Sequence, residues 1–522
     1  MNSREKKPGK ELYRQLRALT WQQLWEVEVP RFDRASLAER LERVAVVRAL
    51  GVVVSESGTP AQRELARPWL RRLLQDPSEK IRRYAMEALP KLGAGPGEES
   101  EMLALLRNTP TDREKKFLGR ALGKIGGSAT LSEMNASGGD AGGVLRQTEQ
   151  KVKARLARDE SPGSIDLEGI LTEAPGLGIH LRGRRGLEPI VAAEVRDRFG
   201  AGGRFRIDEL HEGLVVLTAL AAFSLADLLQ LRCFDTVGLV LGTVTSSDEA
   251  RSNEELAAVI ASPRSQRILQ VLNRGTIRYR LDFAEMGHQR AAVRSVADRV
   301  YELCPRLLND PTAAPWTIAI HPSEHGATVE LVPKLTPDPR RSFRLGDIPA
   351  ASHPPLAACM VRLAGPMENE VVWDPFCGSG LELIERALLG GVRRVIGTDL
   401  SPEALAICRR NFDAAHLANV EVQFTQGDFR DHARIPGLGP ESATLIITNP
   451  PMGRRIAIPD LRGLIESLLS VAATVLKPGG RLVFPNPLRI GTLPPALQLV
   501  STQTVDLGGF DCQLELYHKP LR

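Results

Sequence analysis

The chain has 522 residues, of which 43% are hydrophobic, enough for about three domains of roughly 100–200 residues with cores of their own. Its 68 Lys and Arg against 63 Asp and Glu give a formal net charge of +5, a mild basic excess compatible with an anionic partner. No apolar run approaches the roughly 20 residues that span a bilayer, and the nine histidines and six cysteines show neither zinc-ligand spacing nor a C-x-x-C pair.

The N-terminal "MNSREKKPGKELYRQ" has no apolar core of a secretory leader, so a cytoplasmic protein with reduced thiols, no membrane segment and no metal is expected. Residues 1–130 read as helical repeats. "LLQDPSEKIRRYAMEALPKLG" and "LLRNTPTDREKKFLGRALGKIG" align at an offset of about 33 residues, matching Leu70 with Leu103, Leu89 with Leu122, Leu92 with Ile125 and Gly93 with Gly126. Asp76 with Glu79, and Thr111 with Glu114, have the spacing of helix-start capping boxes, and "ERVAVVRALG" (42–51) reads as a more divergent unit. These stretches resemble HEAT repeats, which implies a concave surface for a protein or RNA partner. Residues 131–167, opening with "LSEMNASGGDAGG", read as a flexible linker with a charged, transiently helical end.

From residue 168 to 337 the pattern is mixed α/β. "GIHLRGRRGLEPIVAAEVRDRFG" is a strand, a glycine turn and a helix bearing Leu187, Ile190, Val191, Glu194 and Val195; further strands and helices follow, closing on "WTIAIHPSEHGATVELVPKL". A Pro-rich basic stretch, 336–355, leads into the last domain, 345–522. There strands are expected at 371–374, 394–399, 420–425, 443–448 and 481–485. Helices are expected at 380–389, 402–415 and 461–476, with an antiparallel pair at the end. That alternation predicts a doubly wound parallel sheet.

The chemistry gathers at the ends of those strands. In "VVWDPFCGSGLELIE", Gly378 and Gly380 allow a tight turn and close approach of a ligand. A phosphate-binding P-loop is excluded by the missing G-K-[ST], and a dinucleotide turn lacks its third glycine, which is Leu383. S-adenosyl-L-methionine fits better. It needs room for a methionyl group at Asp374, Pro375, Phe376, Gly378 and Gly380, and an acid for its ribose, Asp399, about 20 residues on. It also needs a partner for its adenine, Asp428 with Phe429 beside it, while Asn449 ends the next strand.

"DPFCGSG" and "NPPMG" resemble motifs of class I methyltransferases acting on exocyclic amines. With the Arg185-Gly186-Leu187-Glu188 entry upstream, the chain resembles THUMP-containing RNA (guanine-N2) methyltransferases, with an added N-terminal helical region. The resemblance implies three parts: HEAT-like repeats, a ferredoxin-like plus THUMP-like RNA-binding module, and a Rossmann-like catalytic domain. It also implies S-adenosyl-L-methionine as donor and a guanine amine in tRNA or rRNA as acceptor. Catalytic residues would be Asn449, Pro450, Pro451 and Met452. The Asn449 side-chain oxygen and Pro450 carbonyl would accept the amine hydrogens and aim its lone pair at the methyl group. Met452 stands where the family carries an aromatic residue. Arg184, Arg185, Arg454 and Arg455 are candidates for RNA phosphates. DNA adenine methylation and a silent RNA-binding scaffold remain as alternatives. Carbon methylation would need a cysteine nucleophile, and Cys377 and Cys512 read as packing residues.

Overall fold

The computed structural model describes residues 8–521 except 109–110, 137–142, 161, 201–202, 247, 288, 324–325, 350, 454–457 and 492. It forms two compact units, Met1–Ser164 with Ser246–Ser262 and Arg274–Ala314, and Ile165–Thr245 with Pro263–Asn273 and Pro315–Arg522.

In the first unit, helices Pro60–Leu73 and Glu79–Ala88 form one pair, and Pro96–Arg107 and Asp112–Ile125 the next, as the offset in the sequence requires. The matched leucines Leu70, Leu103, Leu89 and Leu122 are all buried in one apolar core. Thr111 caps its helix by accepting the Glu114 N–H at 3.3 Å. Asp76 does not cap: Ser78 is the residue before the helix. The Asp76 carboxylate accepts the Ser78 N–H at 2.8 Å and pairs with Arg40, which holds it clear of the helix end.

The flexible-linker reading of 131–167 is corrected. Helices Ser128–Ala136 and Val144–Glu160 occupy most of the described part of it. Val152, Ala154 and Thr148 of the second helix are buried, and Ala154 packs with Tyr301 and Leu308. Gly119 makes room for this helix: a Cβ there would lie 2.6 Å from Thr148 Oγ1. Gln147 and Lys153 donate to Asp298 and the Tyr301 hydroxyl at 2.8 and 2.7 Å. By their contacts 246–262 and 274–314, read from chain order as part of the α/β module, group with the N-terminal helices.

In the second unit, β1 (Gly178–Arg182), β2 (Phe205–His211), β3 (Leu214–Ala219), β4 (Thr236–Val244), β5 (Trp316–Ser323) and β6 (Gly326–Pro333) pair in the order β2-β3-β1-β4-β6-β5, all antiparallel. Glu188 explains the Gly-Leu-Glu entry. Its carboxylate accepts the Gly186 N–H at 3.0 Å and the Gly213 N–H, closing the turn after β1. Glu194, buried on the following helix, accepts the Arg232 and Cys233 N–H groups at 3.0 and 2.9 Å.

A second sheet contains β7 (Glu370–Asp374), β8 (Val392–Asp399), β9 (Glu421–Gln426), β10 (Ala443–Ile447), β11 (Leu476–Asn486), β12 (Gln498–Asp506) and β13 (Asp511–His518). Their order is β9-β8-β7-β10-β11-β13-β12, parallel up to β11 and antiparallel at β13 and β12. Every residue of β7 is buried, as expected of a central strand covered on both faces. The order reverses direction at β7, so a crevice opens beyond the carboxyl ends of β7 and β10. Arg232 clasps the buried Glu385 through Nε and Nη2 at 2.6 and 2.9 Å, tying the antiparallel module to this sheet.

Candidate functional site

At those strand ends lies a cavity of about 910 Å³. Pro375, Phe376 and Gly378 line it from the turn after β7, Asp399 from the end of β8, and Asp428 and Phe429 from the loop after β9. Asn449, Pro450, Pro451 and Met452 close it beyond β10. The sequence-predicted residues from four strand ends therefore share one wall.

Gly378 and Gly380 have φ of +50° and +84°, the left-handed region open to glycine, and a Cβ on Gly380 would lie 2.6 Å from Cys408 Sγ. Each Asp399 oxygen accepts one backbone N–H, from Gly378 at 3.0 Å and from Ser401 at 2.9 Å. Asp428 caps the turn after β9 through the Arg430 N–H at 2.9 Å, and its other oxygen pairs with the Arg430 guanidinium at 2.9 Å. Phe376 and Phe429 meet with ring centroids 4.9 Å apart, giving the cavity an apolar flank.

Two predicted ligands sit differently. Gly380 shapes the turn without lining the cavity, and Asp374 is fully buried behind it. Asp374 accepts from the Thr448 hydroxyl at 2.5 Å and the Phe376 N–H at 3.0 Å, so it organises the turn and the loop after β10 together. Burial, with the Glu382 charge nearby, pushes its carboxyl well above the usual carboxylate range. Glu382, in the first turn of helix Leu381–Leu388, does line the cavity, and its carboxyl too is pushed up by burial.

Three further lining residues escaped the sequence reading. Ser352 bridges Glu382 and Asn449: its hydroxyl donates to Glu382 and accepts from Asn449 Nδ2 at 2.8 Å. Phe510 follows the tip of the β12–β13 hairpin and lines the same cavity. Glu382 itself sits among apolar helix positions and reads as surface. Only the contacts across the fold reveal these residues.

Arg184 lines the cavity and donates to the Asp506 carbonyl at 3.1 Å, while Arg185 pairs with Asp511 at 2.7 Å. Both are engaged by the hairpin, whereas the sequence reading gave them to RNA. Arg454 and Arg455 lie outside the described residues. Neither cysteine weighed as a nucleophile is poised as a thiolate. The neighbouring Cys408 thiol and burial push Cys377 up, and burial pushes Cys512 up to about 12. Among the described residues no cluster of His, Cys, Asp and Glu could hold a metal ion, and no helix is long and apolar enough to cross a membrane.

The residues suit a sulfonium nucleoside. Among the described residues Asp399 keeps an unused lone pair on each oxygen, Phe376 and Phe429 offer an apolar flank, and the buried Asp374 Oδ2 lacks a hydrogen-bond partner behind a turn whose backbone a cationic ligand would approach.

Over 66% of this chain the fold is similar to that of TrmN from Thermus thermophilus, with a TM-score of 0.52, 22% identity and 99% of that chain covered. The tRNA (guanine(10)-N2)-dimethyltransferases of Methanocaldococcus jannaschii and Methanothermobacter thermautotrophicus are each 32% identical, over 31% and 28% of this chain. The chain spans less than half the length of these two relatives, 44% and 39%. The ribosomal protein L11 methyltransferase of Polynucleobacter necessarius subsp. necessarius is 37% identical over 95 residues, 18% of this chain and 27% of that protein. Residues 341–487, which carry the glycine turn, Asp399, Asp428 and the Asn-Pro-Pro loop, match the UPF0020 family, the RMKL-like methyltransferase domain.

Proposed function

We propose that the protein transfers a methyl group from S-adenosyl-L-methionine to the exocyclic amine of a guanine in tRNA or rRNA. The observation that carries this reading is the Asn449-Pro450-Pro451-Met452 loop standing in one cavity with Asp399 and Asp428. When bound, the donor supplies an electrophilic methyl group on a sulfonium. In this reading Asp399 takes the ribose hydroxyls, and Asp428, Phe376 and Phe429 take the adenine.

A guanine amine is a weak nucleophile because its lone pair is delocalised into the ring. Asn449 Oδ1 and the Pro450 carbonyl would each accept one amine hydrogen, which favours a pyramidal nitrogen facing the methyl group. The proton leaves after transfer, so no strong base is required beforehand. Met452 gives the base a thioether rather than a ring, and Phe510, which lines the same cavity, would supply an aromatic face. In an RNA substrate the target nucleotide would turn out of its stack to reach this depth. The names of the tRNA (guanine(10)-N2)-dimethyltransferase relatives favour a tRNA guanine. The HEAT-like repeats and the THUMP-like module would then provide partner and RNA contacts outside the cavity, in the cytoplasm.

A second reading, methylation of a protein amine, is favoured by the ribosomal protein L11 methyltransferase relatives. The deciding experiment incubates the purified chain with labelled S-adenosyl-L-methionine and either total tRNA, rRNA, DNA or ribosomal protein, and identifies the product by mass spectrometry of nucleosides and peptides. N2-methylguanosine that disappears with Asn449→Ala supports the guanine reading. N6-methyladenine in DNA or a methylated peptide replaces it, and cofactor binding without any transfer points to a scaffold.

A further inference from the structure

Asn449 is useful to an amine only if its amide stands the right way round. The carbonyl oxygen accepts hydrogens and the NH2 group repels them, yet the two ends are nearly identical in shape. Nothing in the Asn-Pro-Pro sequence decides between the two orientations.

We propose that Ser352 and Glu382 form a positioning pair that sets the orientation of the Asn449 amide and keeps its carbonyl oxygen available to the incoming amine. The proposal rests on the methyl-transfer reading above. The geometry is a relay of two hydrogen bonds from three separate parts of the chain. Ser352 comes from the segment before helix Pro354–Ala364, Glu382 from the first turn of helix Leu381–Leu388, and Asn449 from the loop after β10. All three line the cavity. The Ser352 hydroxyl donates to Glu382 Oε1, and Asn449 Nδ2 lies 2.8 Å from the same hydroxyl oxygen.

A hydroxyl has one proton. Once Glu382 takes it, Ser352 can only accept, so the end of the Asn449 amide that faces it must be NH2. Asn449 Oδ1 is thereby turned the other way, and it is left as a buried oxygen with no hydrogen-bond partner among the described residues. An unmade bond at a buried acceptor costs roughly 1–3 kcal/mol, so an orphan of this kind at a ligand cavity marks a place for a donor. The relay survives protonation of Glu382 at Oε2, because Oε1 then remains a carbonyl acceptor for the Ser352 hydroxyl. Arg344, Glu385 and Asp374 are further charged groups near Glu382, and among the described residues none of them is hydrogen-bonded to Ser352 or Asn449.

Removing Glu382 frees the Ser352 proton. Ser352 can then donate to Asn449 Oδ1, the amide turns over, and NH2 stands where an acceptor is needed. Four variants separate this from a packing role. Glu382→Leu and Ser352→Ala are expected to lower kcat for methyl transfer to tRNA by about 10–100-fold, with S-adenosylhomocysteine affinity held within about threefold. Glu382→Gln and Ser352→Thr, which keep an acceptor and a hydroxyl, are expected to stay within about threefold of the wild type. The double variant Ser352→Ala/Glu382→Leu should be no slower than the slower single one, because both break one relay.

Glu382→Leu turning over like the wild type would overturn the proposal. So would Glu382→Gln failing as badly as Glu382→Leu, or cofactor affinity falling in step with the rate, which would place Glu382 on the donor. A readout without turnover is the side-chain amide of Asn449 in protein labelled with 15N-asparagine, assigned by loss of the signal in Asn449→Asp. Its NH2 protons should exchange slowly in the wild type and faster in Ser352→Ala, and equal exchange in both would overturn the pairing. If the wild type methylates no substrate, the functional reading fails and this amide signal still decides the relay.

Discussion

Asp399→Asn tests the cofactor side of the cavity. Both carboxylate oxygens are already half used, one by the Gly378 N–H at 3.0 Å and the other by the Ser401 N–H at 2.9 Å. Each oxygen has two lone-pair directions, so one per oxygen remains for a ribose hydroxyl. Asparagine changes one oxygen into NH2. That end can accept neither its backbone N–H nor a hydroxyl, so one bond to the ribose and one bond within the turn are lost together. A hydrogen bond to a charged group contributes about 1.5–3 kcal/mol, which corresponds to a loss of roughly 10–150-fold in affinity for S-adenosylhomocysteine. The stranded backbone N–H would lower stability by about 1–3 kcal/mol. Isothermal titration gives the first quantity and thermal unfolding the second. A cofactor analogue lacking the ribose hydroxyls supplies the control: it should bind the wild type weakly and lose little more in Asp399→Asn. If Asp399→Asn binds within threefold of the wild type, or loses as much affinity for the deoxy analogue as for the natural nucleoside, Asp399 does not hold the ribose.

Phe510→Ala is expected to lower kcat/KM for RNA about tenfold, the worth of one stacking contact, and to leave S-adenosylhomocysteine binding within threefold; unchanged transfer would remove Phe510 from the substrate wall. Gly380→Ala combines a left-handed backbone with a Cβ 2.6 Å from Cys408 Sγ, and should cost roughly 2–5 kcal/mol, visible as a lower Tm. Glu330, buried on β6, has burial working against its charge. The hydrogen bond from His180 at 2.6 Å and the Arg182 guanidinium prevail and hold its carboxyl below the ordinary range. A carboxyl lowered by folding stabilises above its unfolded value and loses that contribution as pH falls through its folded one. Glu330→Gln should therefore lower stability by about 3 kcal/mol at pH 7, and the gap should narrow below about pH 4 in unfolding curves taken at both pH values.

The sheet of the last domain was legible because its strands are short apolar runs buried on both faces and punctuated by glycine and aspartate. Residues 371–374 are expected where β7 runs Glu370–Asp374, and 394–399 where β8 runs Val392–Asp399. The polar residues at those ends were legible for the same reason, since the end of a buried strand fixes where the next side chain emerges. Ser352, Glu382 and Phe510 were not, because nothing local marks them. Ser352 meets Asn449 across 97 positions of the chain, and Phe510 arrives on a hairpin whose placement is set by packing. The helix Val144–Glu160 was hidden by its polar composition. Four buried side chains, Thr148, Gln150, Val152 and Ala154, anchor it where Gly119 lets it approach.

The arrangement of Arg184, Arg185 and Gly186 gives the antiparallel module a role in the chemistry that needs no RNA contact from these residues. The Arg185 carbonyl accepts the Asp506 N–H at 3.0 Å, Arg184 donates to the Asp506 carbonyl at 3.1 Å, and the Gly186 carbonyl accepts from Gln503. The turn after β1 thus holds the outer strand of the hairpin that carries Phe510. Gly186 is the residue that lets the two backbones meet: its φ is +94°, and a Cβ there would stand 1.9 Å from the Thr504 carbonyl oxygen. Gly186→Ala must move the hairpin away by about an ångström or more to reach ordinary contact, and a shift of that size in a positioning element can cost about 100-fold in rate. The donor side of the cavity hangs from β7, β8 and β9, at the other end of the sheet order from β12, so it should be spared. Methyl transfer to tRNA is then expected to fall steeply in Gly186→Ala while S-adenosylhomocysteine binds within about threefold of the wild type. Parallel losses of transfer and binding would mean that the turn supports the whole domain rather than the acceptor wall, and wild-type transfer would mean that the hairpin finds its place without it.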